Sequence, residues 1–202
     1  MNLDLLNLCT ALTPLFSALA GGLFVLLGVI AKDAIDRGRQ KEQDQASLLG
    51  FQQMIRSEVE VLYGRYKEGI GKSIASVPDG KFMEAIFPIT DVNYFTVYEN
   101  NSNLIGKIQD NELRKLIVTT YTQAKSMLDS IRMNNSMLQR LEELFIRMNE
   151  SKNSTYRSLF DAEQKALGSY AIALKEQHAE LDKNVTELLK KLQISSGAEN
   201  VS

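Results

Sequence analysis

Over residues 5–31 the chain carries no charged side chain, and its later part, ALTPLFSALAGGLFVLLGVIA over residues 11–31, is almost wholly apolar until charge returns at Lys32. At about 1.5 Å rise per residue, roughly 20 residues cross a hydrocarbon core of about 30 Å, and a helix satisfies its backbone polar groups within one such segment. The run therefore reads as a transmembrane helix over residues 11–31, preceded by a short segment, residues 1–10. A cleaved signal peptide wants a basic leading stretch, yet residues 1–10 hold no Lys or Arg, only Asp4. Ala18-Leu19-Ala20 imitates a cleavage site, but GGLFVLLGVIA runs on after it. A buried helix of a soluble protein is the third reading, and such helices rarely stay uncharged for so long.

Basic residues set the orientation of a span, and acidic ones contribute little. Lys32, Arg37, Arg39 and Lys41 follow the run and nothing basic precedes it, which places the N-terminus outside and the rest of the chain in the cytoplasm. Asp33, Asp36, Glu42 and Asp44 are laced through the same stretch, so it does not form a polybasic grip on anionic lipid. Within the span Ser17, Ala18, Gly21, Gly22 and Gly28 are small, and Ser17-x-x-x-Gly21 and Ala18-x-x-x-Gly22 have the spacing that lets two helix backbones approach closely. This face is a candidate for self-association, set against the general abundance of Gly and Ala in membrane helices. Pro14 lies in the first turns, where its missing N–H costs least.

With 23 basic and 25 acidic residues interleaved along the chain, there is no electrostatic footprint for nucleic acid. Cys9 is the single cysteine, so no intramolecular disulfide is available, which suits a reducing compartment. The length after the span accommodates one domain.

The fold class these patterns predict is all-α. One N-terminal transmembrane helix continues into a cytoplasmic bundle that contains a long antiparallel, coiled-coil-like hairpin. Leu48, Phe51, Ile55, Val59, Leu62 and Tyr66 recur at steps of three and four, the mark of a helix with one buried face. This juxtamembrane helix and its turn occupy residues 32–80, with Gly38 the only candidate joint to the span and Gly69, Gly71 and Val77-Pro78-Asp79-Gly80 as the stop signal. Residues 81–193 form the bundle and hairpin. Phe82, Phe87, Tyr94, Phe95 and Tyr98 are close together, with Pro88 as a break and Thr90 or Asp91 as a cap, predicting two short helices that fold aromatic surface onto the longer ones. A partner-binding aromatic patch is the alternative.

Asp110 caps a long helix free of Pro and Gly until Gly168. Ile117, Ala124, Ile131, Leu138 and Phe145 keep a seven-residue register, with Leu113, Met127, Leu141 and Met148 at the companion position. Thr120 and Asn134 interrupt that companion position, either specifying register from a buried site or facing solvent at its edge. After a polar turn over residues 149–154, Phe160, Leu167, Leu174, Leu181 and Leu188 form a second heptad whose companions, Glu163, Tyr170, Gln177, Asn184 and Lys191, are mostly polar. A short connection between two long helices predicts antiparallel packing, seam to seam. Residues 194–202 read as a disordered tail.

Signals for chemistry are sparse. His178, the only histidine, stands among Lys175, Glu176, Glu180 and Lys183 and reads as a solvated helix residue. One histidine leaves no metal-binding His cluster, and Gly69-Ile70-Gly71-Lys72-Ser73 lacks the upstream glycine of a phosphate loop. Glu58, Glu60, Glu142 and Glu143 read as solvated carboxylates. No catalytic residue, cofactor, metal or small-molecule substrate is evident.

Residues 87–135, with Asn101, Leu104-Ile105-Gly106, Asp110, Glu112-Leu113, Tyr121 and Asn134-Asn135, resemble uncharacterised bacterial membrane proteins that have one N-terminal span and a helical cytoplasmic region. The resemblance implies a bacterial inner membrane and no activity. The expected function is non-enzymatic: an interaction or assembly protein contacting membrane lipid and either a protein partner or a second copy of itself. A membrane effector of a phage-exclusion or anti-phage system, oligomerising through its span, is a second class. A coiled-coil protein of inverted topology is a third.

Overall fold

The proline-free stretch that follows Asp110 builds the two helices on which the rest of the chain is arranged. In a computed structural model, residues 3–89, 93–151 and 153–197 are described, with side chains described over 28–30, 32–89, 93–151 and 153–194. The elements are α1 (Leu3–Tyr66), a π-helical turn (Lys67–Gly71), α2 (Lys72–Ser76), α3 (Thr96–Asn100), α4 (Ser102–Ile105), α5 (Asn111–Ser151) and α6 (Ser154–Gly197). Among the described residues there is no strand, and the fold is all-α. The chain divides into two units, Met1–Ser47 and Leu48–Ser202.

In the first unit the backbone of residues 3–47 is helical. Among the described residues no helix is long and apolar enough to cross a membrane. The span expected over residues 11–31 falls, apart from Gly28, Val29 and Ile30, outside the described side chains, and so do Ser17, Ala18, Gly21 and Gly22.

In the second unit α5 and α6 form an antiparallel hairpin. Asp110 Oδ1 accepts hydrogen bonds from the amides of Glu112 (2.9 Å) and Leu113 (3.1 Å), satisfying two of the first-turn donors of α5. The Leu113 amide, with the Glu112 amide behind it, holds the Asp110 carboxyl below its ordinary range. At the other end the connection is only residues 152–153, where Asn153 Oδ1 accepts from the Thr155 amide at 2.9 Å and starts α6. Four of the companions on α6 are cross-links to α5. Lys191 donates to Glu112 at 2.7 Å, Asn184 to Gln123 at 2.7 Å and the Tyr170 hydroxyl to the Ser130 carbonyl at 3.2 Å, while Glu163 pairs with Arg140 at 3.4 Å. Positions rise on one helix as they fall on the other, the register of an antiparallel pair. Between these links Ile117, Ile131, Leu167, Leu174, Leu181 and Leu188 are buried. Truncating such a residue to Ala costs about 2–5 kcal/mol.

A third layer closes one half of this hairpin. Phe51, Ile55 and Val59 of α1 are buried in the core with Leu113, Ile117 and Leu188. Gly69 and Gly71 do not stop the helix as expected. The backbone passes through them as a π turn and continues as α2, ending at Val77, which is extended (φ −62°, ψ 122°) because the residue before a proline avoids the helical region. Pro78 to Lys81 then turn on a 3.1 Å backbone hydrogen bond, with Gly80 at φ 74° where a side chain would be strained.

The aromatic segment also departs from expectation. The described residues of 77–95 form an irregular, non-helical run, and the short helices come later, as α3 and α4. The Thr90 or Asp91 cap lies outside the described residues. Instead Glu58 of α1 supplies the cap of α3, accepting from the Val97 amide at 2.7 Å and the Tyr98 amide at 3.3 Å. Asn135 of α5 grips the irregular run from the side, donating to the Phe87 carbonyl at 2.7 Å and accepting from its amide at 3.2 Å. Tyr98 stacks on Tyr121 at 4.1 Å and Phe95 meets it edge-on at 5.5 Å, so this aromatic surface turns inward. The C-terminal helix runs to Gly197, past the expected start of a tail at residue 194, and residues 198–202 lie outside the described part.

Candidate functional site

Beneath the irregular run lies an apolar cavity of about 300 Å³, walled by α1 and the π turn, residues 87–89 and 94–95, α5 and α6. Phe87, Ile89, Leu62, Met127 and Val185 supply much of the wall. Thr120 also lines it, is 2 % exposed, and its hydroxyl has no hydrogen-bond partner among the described residues. Ala124 is half-buried on the same wall.

At one edge stands a polar cluster. Tyr63 donates its hydroxyl to Asp182 Oδ1, and Lys67 Nζ donates to the same oxygen at 2.8 Å. The Tyr66 hydroxyl lies 2.9 Å from His178 Nδ1, with the two rings 5.7 Å apart. Lys67 first, then the Tyr63 hydroxyl, hold the Asp182 carboxyl below its ordinary range. Burial raises the Tyr63 and Tyr66 phenols, with Asp182 reinforcing both, and they stay protonated. Burial lowers the His178 pKa despite the opposing pull of Asp182. In the neutral ring's Nε2–H tautomer, Nδ1 accepts the Tyr66 hydroxyl proton.

The π turn brings this cluster together. A Cβ on the buried Gly71 would stand 3.1 Å from His178 Cε1 and 3.2 Å from the Tyr66 carbonyl oxygen, so the bare glycine relieves a tight approach between this turn and α6. A π turn inside a helix is a frequent companion of functional sites. His178 is thus no solvated residue: its charged neighbours suggested exposure, while its i+4 partner Asp182 shares the face turned to α1. Tyr63, Tyr66 and Lys67, at matching spacing, are the complementary signal that sequence reading passed over. Glu58 is likewise no idle carboxylate, since it accepts from Tyr121 at 2.7 Å in addition to capping α3.

The expected seam residues divide by position along the hairpin. Ile117, Ile131, Leu138, Leu167, Leu174, Leu181 and Leu188 are buried, as is Asn134 at 0 %, whose amide nitrogen and oxygen both lack partners among the described residues. Phe145 departs from expectation: it is 50 % exposed and tilted against the half-buried Phe160 at 6.0 Å. Ile146 and Leu159 beside it are 48 % and 43 % exposed. The reason is the reach of the third layer, whose Asn135–Phe87 bonds and Gly168–Gly80 approach, 3.8 Å from a Cβ at Gly168, lie closer to the buried half. Beyond Leu138 and Leu167 the stripe continues, among the described residues, on α5 and α6 without the third layer. Gly28 has nothing within 4 Å of a Cβ among the described residues.

Comparison with family models, curated proteins and solved structures gave no match.

Proposed function

We propose that this chain is a membrane-anchored, non-enzymatic assembly protein of a bacterial inner membrane, with a span at residues 11–31, its N-terminus outside and its helical domain in the cytoplasm. The hairpin end joins a second copy of the chain. The observation that carries the reading is the apolar stripe of α5 and α6, which continues past the third layer and leaves Phe145, Ile146 and Leu159 uncovered. Two such hairpin ends, laid together, complete a four-helix arrangement in which each stripe is buried. Mixed charges beside it, Arg140, Glu142, Arg147 and Arg157, allow opposite signs to meet across a two-fold axis. Anchoring is supported by the uncharged run, by the basic residues that follow it, and by Val29 and Ile30, which are 61 % and 65 % exposed.

Blue-native electrophoresis and chemical cross-linking of the full chain in mild detergent test the assembly. A dimer is expected, with Phe145→Asp and Leu159→Asp shifting it to monomer at unchanged helical circular dichroism. Monomer alone from the unaltered chain overturns the reading. Alkaline phosphatase and fluorescent-protein fusions at the C-terminus test the topology, with fluorescence and no phosphatase activity expected.

A further inference from the structure

We infer that the cavity beside Thr120 and Arg65 binds one fatty acid, its acyl chain inside and its carboxylate at Arg65. Size is the first argument: about 300 Å³ is enough for one small apolar ligand and not for a pair, at the low end of the roughly 300–1,000 Å³ of small-molecule sites. The second is the chemistry of the wall, where aliphatic and aromatic side chains from five segments converge and, among the described residues, the Thr120 hydroxyl adds one buried polar atom without a partner. An apolar chain is the occupant such a wall accepts without stranding further polar groups.

The third argument is at the edge. Lys67 is committed to Asp182, whereas Arg65 lines the cavity, is exposed, and has no hydrogen bond or ion pair among the described residues. Its planar guanidinium offers the paired donors that a carboxylate accepts. A fatty acid matches both features, its acyl chain filling a mostly apolar wall and its carboxylate meeting the Arg65 guanidinium. This inference is independent of the assembly reading, which concerns the other end of the hairpin.

The test uses the full chain in phosphatidylcholine nanodiscs, with carboxyl-labelled dodecanoate followed by carbon NMR against empty discs, and dodecanol as the uncharged comparison. Saturable one-to-one binding of dodecanoate above that of empty discs is expected. Arg65→Gln, an exposed change that leaves folding intact, weakens dodecanoate about tenfold and leaves dodecanol unchanged. Ala124→Phe fills the cavity and abolishes both. Binding no greater than in empty discs, or an Arg65→Gln protein that holds dodecanoate undiminished, overturns the inference, whether or not Ala124→Phe folds. Loss of dodecanoate on replacing the disc lipid with phosphatidylglycerol overturns the free acid as ligand and assigns the site to a bilayer lipid of the same chemistry.

Discussion

Glu58 Oε2 accepts a 2.7 Å hydrogen bond from the Tyr121 hydroxyl, tying α1 to α5, while Oε1 of the same carboxylate accepts one of 2.7 Å from the Val97 amide that begins α3. Burial, with Glu58 as acceptor, raises the Tyr121 phenol far enough that it remains a donor wherever the protein is folded. A single side chain therefore fastens three segments that are distant in sequence.

Removing either partner measures that fastening. Tyr121→Phe deletes one charge-assisted bond and is expected to cost about 1.5–3 kcal/mol. Glu58→Ala strands two amides and a hydroxyl together and costs more, about 3 kcal/mol or above. Chemical denaturation followed by circular dichroism checks both, and equal losses from the two variants would show that the α3 amides find water instead.

Two glycines of the same helical run should respond in opposite directions. Gly64 has nothing within 4 Å of a Cβ among the described residues, so Gly64→Ala gains helix propensity and stabilises by about 0.5–1 kcal/mol. Gly71→Ala meets the Tyr66 carbonyl oxygen at 3.2 Å, a backbone atom that cannot rotate away, and destabilises despite the same propensity gain. Paired thermal melts decide the signs.

Asn134 is wholly buried with neither amide atom partnered among the described residues, so it opposes stability where it sits. Asn134→Leu is expected to stabilise by about 1–3 kcal/mol. A polar group retained in a seam can instead exclude alternative registers. Spin-label distances across α5 and α6 are expected to broaden in the variant and to stay narrow in the unaltered protein.

Acid should loosen the cluster at His178 before it reaches the carboxylates. Burial holds the imidazole below its ordinary value of 6.5, so the unfolded chain takes up this proton first and stability falls as pH drops through 6.5 toward the folded value. Asp182, whose pKa is lowered chiefly by Lys67, gives up its contribution only below its ordinary 3.8. Melting temperature is expected to drop by a few degrees between pH of about 7.5 and about 5.5, and His178→Gln to flatten that slope.

The hairpin was legible because its signals are local: a capping Asp110, a proline-free interior and a leading heptad position that stays apolar from Ile117 to Phe145. Phe145 kept the heptad as faithfully as Ile131, but the heptad records only which face a residue occupies. Its burial depends on where residues 77–95 stop, and nothing in the hairpin sequence encodes that length. Gly71 misled for a related reason, since glycine ends helices by conformation and permits close approach by its size, and only the packed partner, His178, distinguishes the two. Glu58 reads in sequence like any surface carboxylate until α3 is folded beneath it.

The π turn at Lys67–Gly71 contains one residue more than an α-helical ladder would use, and that surplus sets the phase of everything after it. Ile74 of α2 is buried alongside Phe51, Ile55 and Val59 of α1. Each residue of an α-helix turns the chain by about 100°. Deleting one residue between 67 and 71 would restore an uninterrupted ladder and swing Ile74 away from the core by that angle. The reading frame of the fold, as distinct from that of the gene, is thus kept by a one-residue insertion that the helix has absorbed without breaking.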